Sequence, residues 1–180
     1  MKRFLPLLLL LCLSAFLFSS CGNSPAAAAK KILSDLSDGD TSVYGTLFDS
    51  DSVELSEQER FVLSRMTWKC AEMHLTDDTH AAVTVHIHTH DMMDLMNQAL
   101  IRSLSGADPN FDTTAWMLLQ LNSGAAPKAD FEAVMPLVLD GSQLTLDTAA
   151  GEDVLDGLRD AVSGGAYSWF RIYRETFGAE

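Results

Sequence analysis

Residues 67–90 alternate between apolar and polar side chains, and this alternation constrains the fold more than any other feature of the chain. Two runs, WKCAEMHL and AAVTVHIHTH, flank the turn-forming residues TDDT. A period of two is typical of strands with one buried face, and an Asp-rich separation indicates an antiparallel hairpin. The chain is therefore expected to contain a sheet with one apolar face.

The register of this hairpin decides which side chains share a face. If Leu75 lies opposite Ala81, one face carries only apolar side chains: Ala71, Met73, Ala81, Val83, Val85 and Ile87. The other face then carries Trp68, Cys70, Glu72, His74, Thr84, His86 and His88. A shift by one residue would place Glu72 among the valines, so we expect the first register.

Histidines occupy every second position at His86, His88 and His90, which raises the question of a metal site. Same-face neighbours on a strand stand about 6.6–7 Å apart, so two of these histidines can converge on one ion but three cannot easily do so. In the expected register Cys70 lies across from His86, which makes Cys70, His86 and His88 candidate ligands for zinc or another transition metal. Histidine and threonine also fill the solvated face of a hairpin without any ligand. We prefer this second interpretation and expect weak metal binding at most and no resident cofactor.

Helical periodicity and capping residues predict the remaining elements. Helices are expected over about 26–37, after Ser56 with Glu59 in a capping box, from Asp91 to about Leu104, from Asp112 to before Gly124, and over 152–162 before Gly164. A second hairpin is expected around Asp140 and Gly141, with Pro136 confined to an edge strand. The pattern indicates an acidic loop over residues 40–55 and leaves the tail 166–177 open between strand and helix.

The first 21 residues have the pattern of a secretory signal. A basic start, MKR, precedes an apolar stretch from Leu5 to Phe18, and small residues lead to Cys21. The apolar run of about 14 residues is short of the ~20 that span a bilayer as a helix, so we expect cleavage. FSSC resembles the lipobox of bacterial lipoproteins. The resemblance implies a signal peptide over residues 1–20, a diacylglyceryl group on Cys21, a tether over 21–29, and an extracytoplasmic protein anchored to the bacterial cell membrane.

The charge of the chain limits its partners. Loss of Lys2 and Arg3 leaves 10 basic residues against 25 acidic ones, a net charge of about −15. Such a charge argues against nucleic acid and against adsorption to an anionic leaflet. We therefore expect the N-terminal lipid to hold the protein at the membrane, because two or three acyl chains suffice without a basic patch.

The cysteines exclude an intrachain disulfide in the processed chain. Cys12 leaves with the leader and Cys21 is acylated, so Cys70 stands alone. We expect Cys70 to be a small core residue rather than a nucleophile. Residues 30–180 are long and apolar enough to fold as one domain around their own core.

The predicted order of helices and hairpins is typical of an α+β domain with helices packed on an antiparallel sheet. The tether, the first helix, the DDTHAAVTVHI strand and the MPLVLDGSQLTLD hairpin resemble small bacterial lipoproteins of the nuclear-transport-factor-2-like, or cystatin-like, superfamily, over roughly residues 27–160. The resemblance implies a curved antiparallel sheet packed with helices and a pocket on its concave face. It carries over no functional residue, because this fold serves both enzymes and binding proteins.

The chain lacks the usual catalytic signatures GxSxG, HExxH, GxxxxGK and CxxC. We therefore expect a non-catalytic module that binds a small ligand or an envelope protein. The alternatives are a pocket enzyme on the same fold, for which His74 and His86 with Glu72 are the acid–base candidates, and a metal-binding lipoprotein that uses the histidine strand.

Two further segments allow more than one interpretation. FDSDSVE, at 48–54, begins like a calcium loop, but Val53 replaces an oxygen ligand, so we expect a solvated acidic loop. The tail carries Tyr167, Trp169, Phe170, Tyr173 and Phe177, with Arg171 and Arg174 among them. We expect the tail to close the core, and the alternative is an exposed anchor for another envelope protein.

Lipid attachment is the first testable prediction. A clickable fatty acid fed to cells that express the full chain should label the protein, and Cys21→Ser should abolish the label. Equal labelling of both proteins would contradict the lipobox assignment.

Overall fold

The computed structural model describes residues 24–49, 54–106 and 108–177, with side chains as far as residue 172. The described elements are α1 (Pro25–Ser37), α2 (Thr41–Phe48), α3 (Glu57–Ser64), β1 (Thr67–Leu75), β2 (His80–His90), α4 (Met92–Leu104), α5 (Thr113–Ser123), β3 (Lys128–Asp140), β4 (Gln143–Leu146), α6 (Glu152–Ser163) and α7 (Ala166–Phe177). This architecture confirms the α+β class. The leader, Cys21 and the centre of the acidic loop lie outside the described residues.

The four strands form one open antiparallel sheet in the order β1-β2-β3-β4. β2 pairs with β3 over its whole length, from His80 opposite Val138 to His90 opposite Lys128. The helices α4 and α5 lie between β2 and β3 in sequence. They therefore connect to the sheet at the end where β2 finishes at His90, which we call the His90 end. The opposite end of these strands, at residues 76–79, is the turn end.

The hairpin register is correct at the turn but wrong beyond the middle of β1. Leu75 lies opposite Ala81 as expected, but a bulge between Cys70 and Met73 inserts one extra residue into β1. Because side chains alternate with a period of two, the extra residue moves every earlier position to the other face. Cys70 therefore lies opposite Val85, and Lys69 takes the expected place of Cys70 opposite His86.

The inner face of the sheet is covered by helices. Val83, Val85, Ile87 and Met135 are fully buried there. α1 and α6 pack on this face, and each contributes a stripe at helical spacing, with Leu33 and Leu36 on α1 and Leu158, Ala161 and Val162 on α6. Trp68 and Cys70 join this core from β1 because of the bulge.

The helix predictions are largely confirmed, with one omission. Ser24 caps α1, and Ser56 with Glu59 forms the expected capping box of α3. α4, α5 and α6 also occur where the pattern places them. The expected loop over residues 40–55 is wrong in its first half, where α2 forms. Asp40 accepts hydrogen bonds from the first backbone N–H groups of α2 and is therefore its N-cap. In the sequence this capping signal was interpreted as part of an acidic loop.

The α4–α5 pair buries few of its apolar side chains. Helical spacing places Leu104 on the same face of α4 as Leu100, yet Leu104 is 77% exposed, and on α5 only Leu121 is buried although six of its eleven residues are apolar. The tail, which the sequence left open, forms the helix α7. Trp169 of α7 donates a hydrogen bond to the side chain of Asn97 on α4.

The second hairpin turns one residue later than expected, because Asp140 lies opposite Gln143. β3 is also not an edge strand along its whole length, since β4 pairs with its last four residues. The carbonyl of Pro136 accepts a hydrogen bond from the backbone N–H of Asp147, just past the end of β4. Because the N–H and C=O of one strand residue point to the same side, the N–H that Pro136 lacks would point towards the end of β4 and away from β2.

Gly164, the residue after α6, lies very close to the backbone of His90. Its φ is +65°, and a Cβ there would stand 2.0 Å from the backbone oxygen of His90. Gly124 ends α5 at φ +74° with no atom within 4 Å of such a Cβ. Gly124→Ala should cost about 1–2 kcal/mol of unfolding free energy from left-handed strain, and Gly164→Ala should cost at least twice as much in urea unfolding. Equal losses would contradict the close approach.

Candidate ligand pocket

The predicted metal-site residues do not share one face. His86 and His88 lie on the outer face of the sheet, where their Nδ1 atoms stand 3.5 Å from Glu132 and 2.9 Å from Asp130. Cys70 lies on the inner face, against the core. The assumption that Cys70 faces His86 was wrong, and within the described part of the chain no three His, Cys, Asp or Glu side chains converge as a metal site would need. Weak metal binding at most stays a prediction.

The acid–base candidates are also separated. His74 Nε2 lies 3.4 Å from Glu72, while His86 is paired with Glu132. His74 lies opposite Ala82, four residues before His86 on β2, which is about 13 Å along the strand. The three candidates therefore belong to two separate surface pairs, His74 with Glu72 and His86 with Glu132. Burial raises the pKa of the Cys70 thiol, which makes Cys70 a poor nucleophile.

His90 differs from the other histidines because it is only 3% exposed. Its ring lies 5.7 Å from that of Phe61 at a tilt of 41°, and neither ring nitrogen makes a hydrogen bond to another described residue. Burial lowers the pKa of His90, and the positive charge of Lys128 lowers it further. The third histidine of the strand is thus a neutral core residue.

A cavity of about 390 Å³ lies among the helices rather than on the sheet. The side chains around it come from α2, α3, α4, α5, α6 and α7 and are mostly apolar: Tyr44, Phe48, Val62, Leu63, Met92, Met96, Met117, Val162, Ala166, Tyr167 and Phe170, with Ser56, Gln58, Glu59 and Ser163. We call it the helix pocket. Its size and its lining are those of small-ligand sites in proteins.

Aromatic rings form one wall of the helix pocket. Tyr44 and Phe48, one turn apart on α2, stack at 4.3 Å, and Phe48 lies 6.1 Å from Tyr167. Three methionines, Met92, Met96 and Met117, line the pocket as well. Methionine is flexible and polarisable, so such a lining adapts to ligands of different shape.

One carboxylate enters this apolar lining. Glu59 accepts a hydrogen bond from the Tyr44 hydroxyl at 2.8 Å and two more from the backbone and hydroxyl of Ser56 at 2.7 Å. Burial alone raises the pKa of Glu59, but the hydrogen bonds from Ser56 and Tyr44 together outweigh it and lower the pKa. Burial and the same Glu59 bond raise the pKa of Tyr44 far above neutrality. At neutral pH the pair is therefore a carboxylate and a neutral phenol.

The buried side chain of Arg159 contacts the helices that carry the aromatic wall. Arg159 donates to the backbone oxygen of Leu47 at 2.8 Å and to Asp156 at 2.8 Å, and its guanidinium lies 5.4 Å from the Tyr167 ring centre. Asp156 also accepts a hydrogen bond from Arg171 at 2.6 Å. These contacts join α2, α6 and α7, so the pocket wall is held by polar bonds as well as by packing.

A wider and more polar groove of about 820 Å³ lies on the other side of α2, between Thr41, Thr46, Thr148 and Glu152. Its charged lining residues are Asp49, Glu152 and Arg159, and the Nε and Nη1 of Arg159 already donate to Leu47 and Asp156. We therefore place the candidate site in the smaller helix pocket, where an apolar surface is left open.

Sequence reasoning missed the helix pocket, although it contains two residues of the aromatic tail. Trp169 packs against the second group of buried side chains, whereas Tyr167 and Phe170 line the pocket and Phe170 stays 55% exposed. Comparison with protein-family models, curated proteins and solved structures finds no match for this chain. None of the helices in the described ranges is both long and apolar enough to cross a membrane.

The buried His90 predicts a pH dependence of stability. Because its pKa is lowered in the folded protein, the unfolded chain binds a proton more readily. The stabilising contribution is complete above the ordinary pKa of about 6.5 and is lost as the pH falls from there towards the lowered value. Urea unfolding at pH 5 and pH 7.5 should therefore show a larger loss on acidification for the natural protein than for His90→Phe. Equal losses of unfolding free energy for the two proteins between pH 7.5 and pH 5 would contradict a buried neutral His90. Above pH 7.5 the unfolding free energies of the two proteins should change with pH in the same way.

Proposed function

We propose that this protein is a membrane-anchored extracytoplasmic lipoprotein that acts as a non-catalytic binding module, with the helix pocket as its ligand site. The observation that carries the proposal is a largely apolar cavity of about 390 Å³ with rings on one wall and methionines around it. An open apolar cavity costs free energy in water, and a ligand with an apolar body recovers that cost on binding.

The chemistry of the pocket favours binding over catalysis. Its one carboxylate already accepts three hydrogen bonds, from Ser56 and Tyr44, and its lowered pKa is far from the neutral range that suits a general acid or base. Ser163, the hydroxyl across the pocket, donates to the Asp160 carbonyl and accepts from the Tyr167 N–H. The Ser56 hydroxyl that donates to the Glu59 carboxylate belongs to the capping box of α3, which favours a structural role for this pair.

The position of the pocket fits a tethered protein. The last turn of α1 borders Arg60 and Phe61 of α3 near the His90 end, while α1 also contacts β4 at the turn end. α1 therefore starts near the turn end, and Pro25 is four residue steps, at most about 14 Å, from Cys21. β2 alone is about 35 Å long. A lipid on Cys21 would thus hold the turn end near the membrane and leave the helix pocket, next to Met92, on the far side.

Filling the pocket tests the proposal. The neutral apolar dye 1-N-phenylnaphthylamine should bind the chain that carries Cys21→Ser, where no attached lipid competes, and its fluorescence should rise to saturation. Ala166→Trp places an indole at the pocket and should weaken binding at least tenfold. Ala115→Trp adds the same side chain at an exposed position of α5 outside the pocket and should leave binding within twofold. Equal binding by all three proteins would contradict the site.

A further inference from the structure

We infer that the helix pocket selects ligands that carry a positive charge on an apolar body. This inference rests on the proposed function and names the chemical class of ligand that the pocket takes. It is carried by the placement of the Glu59 carboxylate beside the Tyr44–Phe48 ring pair at an otherwise apolar cavity.

Glu59 has no positively charged partner in the part of the chain that the structure describes. Among the described residues no Lys, Arg or His nitrogen lies within 4 Å of its carboxylate, although ion pairs form at several other acidic residues. Its three partners, Tyr44 and the two donors of Ser56, are neutral. A carboxylate can accept about four hydrogen bonds, so one acceptor position and a full negative charge remain. A half-buried charge without a counter-ion attracts a cationic ligand group and repels an anionic one.

The rings beside Glu59 favour the same kind of ligand. A cation that lies over an aromatic face is attracted by the negative charge of the ring surface, and the attraction grows when water is excluded. Tyr44 and Phe48 stack on each other and both line the pocket, and the carboxylate is bonded to the hydroxyl of the first ring. The methionines Met92, Met96 and Met117 then offer the apolar surface for the rest of the ligand. An alkylammonium or an aromatic amine has this combination of parts.

Three probes that share an eight-carbon chain separate charge from apolar contact. Octyltrimethylammonium, octan-1-ol and octyl sulfate should each be tested for displacement of 1-N-phenylnaphthylamine from the Cys21→Ser chain in 0.15 M salt, where the Debye length of about 8 Å screens distant charges. We expect the ammonium to displace the dye at about one tenth of the octan-1-ol concentration, and the sulfate to be weaker than the alcohol.

Two variants locate the source of the preference. Glu59→Gln keeps an N3 residue that suits the capping box and removes the charge, so it should abolish the preference for the ammonium while octan-1-ol binding stays within twofold. Glu57→Gln removes the same charge from an exposed position in the first turn of α3 that does not line the pocket, and it should keep the preference. Thermal melting of each variant verifies that it is folded.

The outcomes distinguish the two proposals. If the dye binds and the three probes displace it equally, or if the preference survives in Glu59→Gln, the charge selectivity is overturned while the pocket stands. If neither the dye nor octyltrimethylammonium binds, as measured by calorimetry, the proposed function and the selectivity are both overturned.

Discussion

The covering of the inner sheet face by α1 and α6 is the interaction on which the rest of the structure depends. Leu33 and Leu36 of α1 and Leu158 of α6 are fully buried against strand residues such as Val85 and Met135. Each of these side chains contributes roughly 1.5–3 kcal/mol when removed from water, so this one layer supplies much of the driving force of folding. The same layer covers the inner face of the sheet, the face on which the family resemblance implied a pocket.

The remaining helices pack around a second group of buried side chains, and the pocket lies where the two groups meet. Leu63 and Val162 belong to the sheet-covering core, whereas Val62, Met92 and Met96 belong to the second group, and all five line the helix pocket. Protein interiors are close-packed with few voids larger than a water molecule, so an open cavity of about 390 Å³ at this boundary is unusual. The aromatic rings and the carboxylate at this boundary give the remaining space a chemical preference, which is the basis of both proposals.

Local signals predicted much of the fold because they depend on neighbouring residues alone. The caps at Ser24 and Ser56 and the pairing of Leu75 with Ala81 follow from spacing and are present. The bulge near Cys70 could not be predicted from neighbouring residues. It interrupts the hydrogen bonds between the strands, and the compensating gain is the tertiary packing of Trp68 and Cys70 against the core. The helix pocket was equally hidden, since six helices distant in sequence form it. The alternating histidines of β2 suggested a metal site, but His86 and His88 are exposed surface residues whereas His90 is buried in the core.

The location of the ligand site can be measured directly through the methionine methyl groups. Met92, Met96 and Met117 line the helix pocket, while Met135 is buried under the sheet-covering helices and Met73 lies on β1, 52% exposed. In a carbon–proton NMR titration of methyl-labelled Cys21→Ser chain with 1-N-phenylnaphthylamine, the three pocket methyl signals should shift and saturate together, while those of Met135 and Met73 stay in place. Saturating shifts at Met73 or Met135 with unmoved signals at Met92, Met96 and Met117 would contradict a ligand site between the helices.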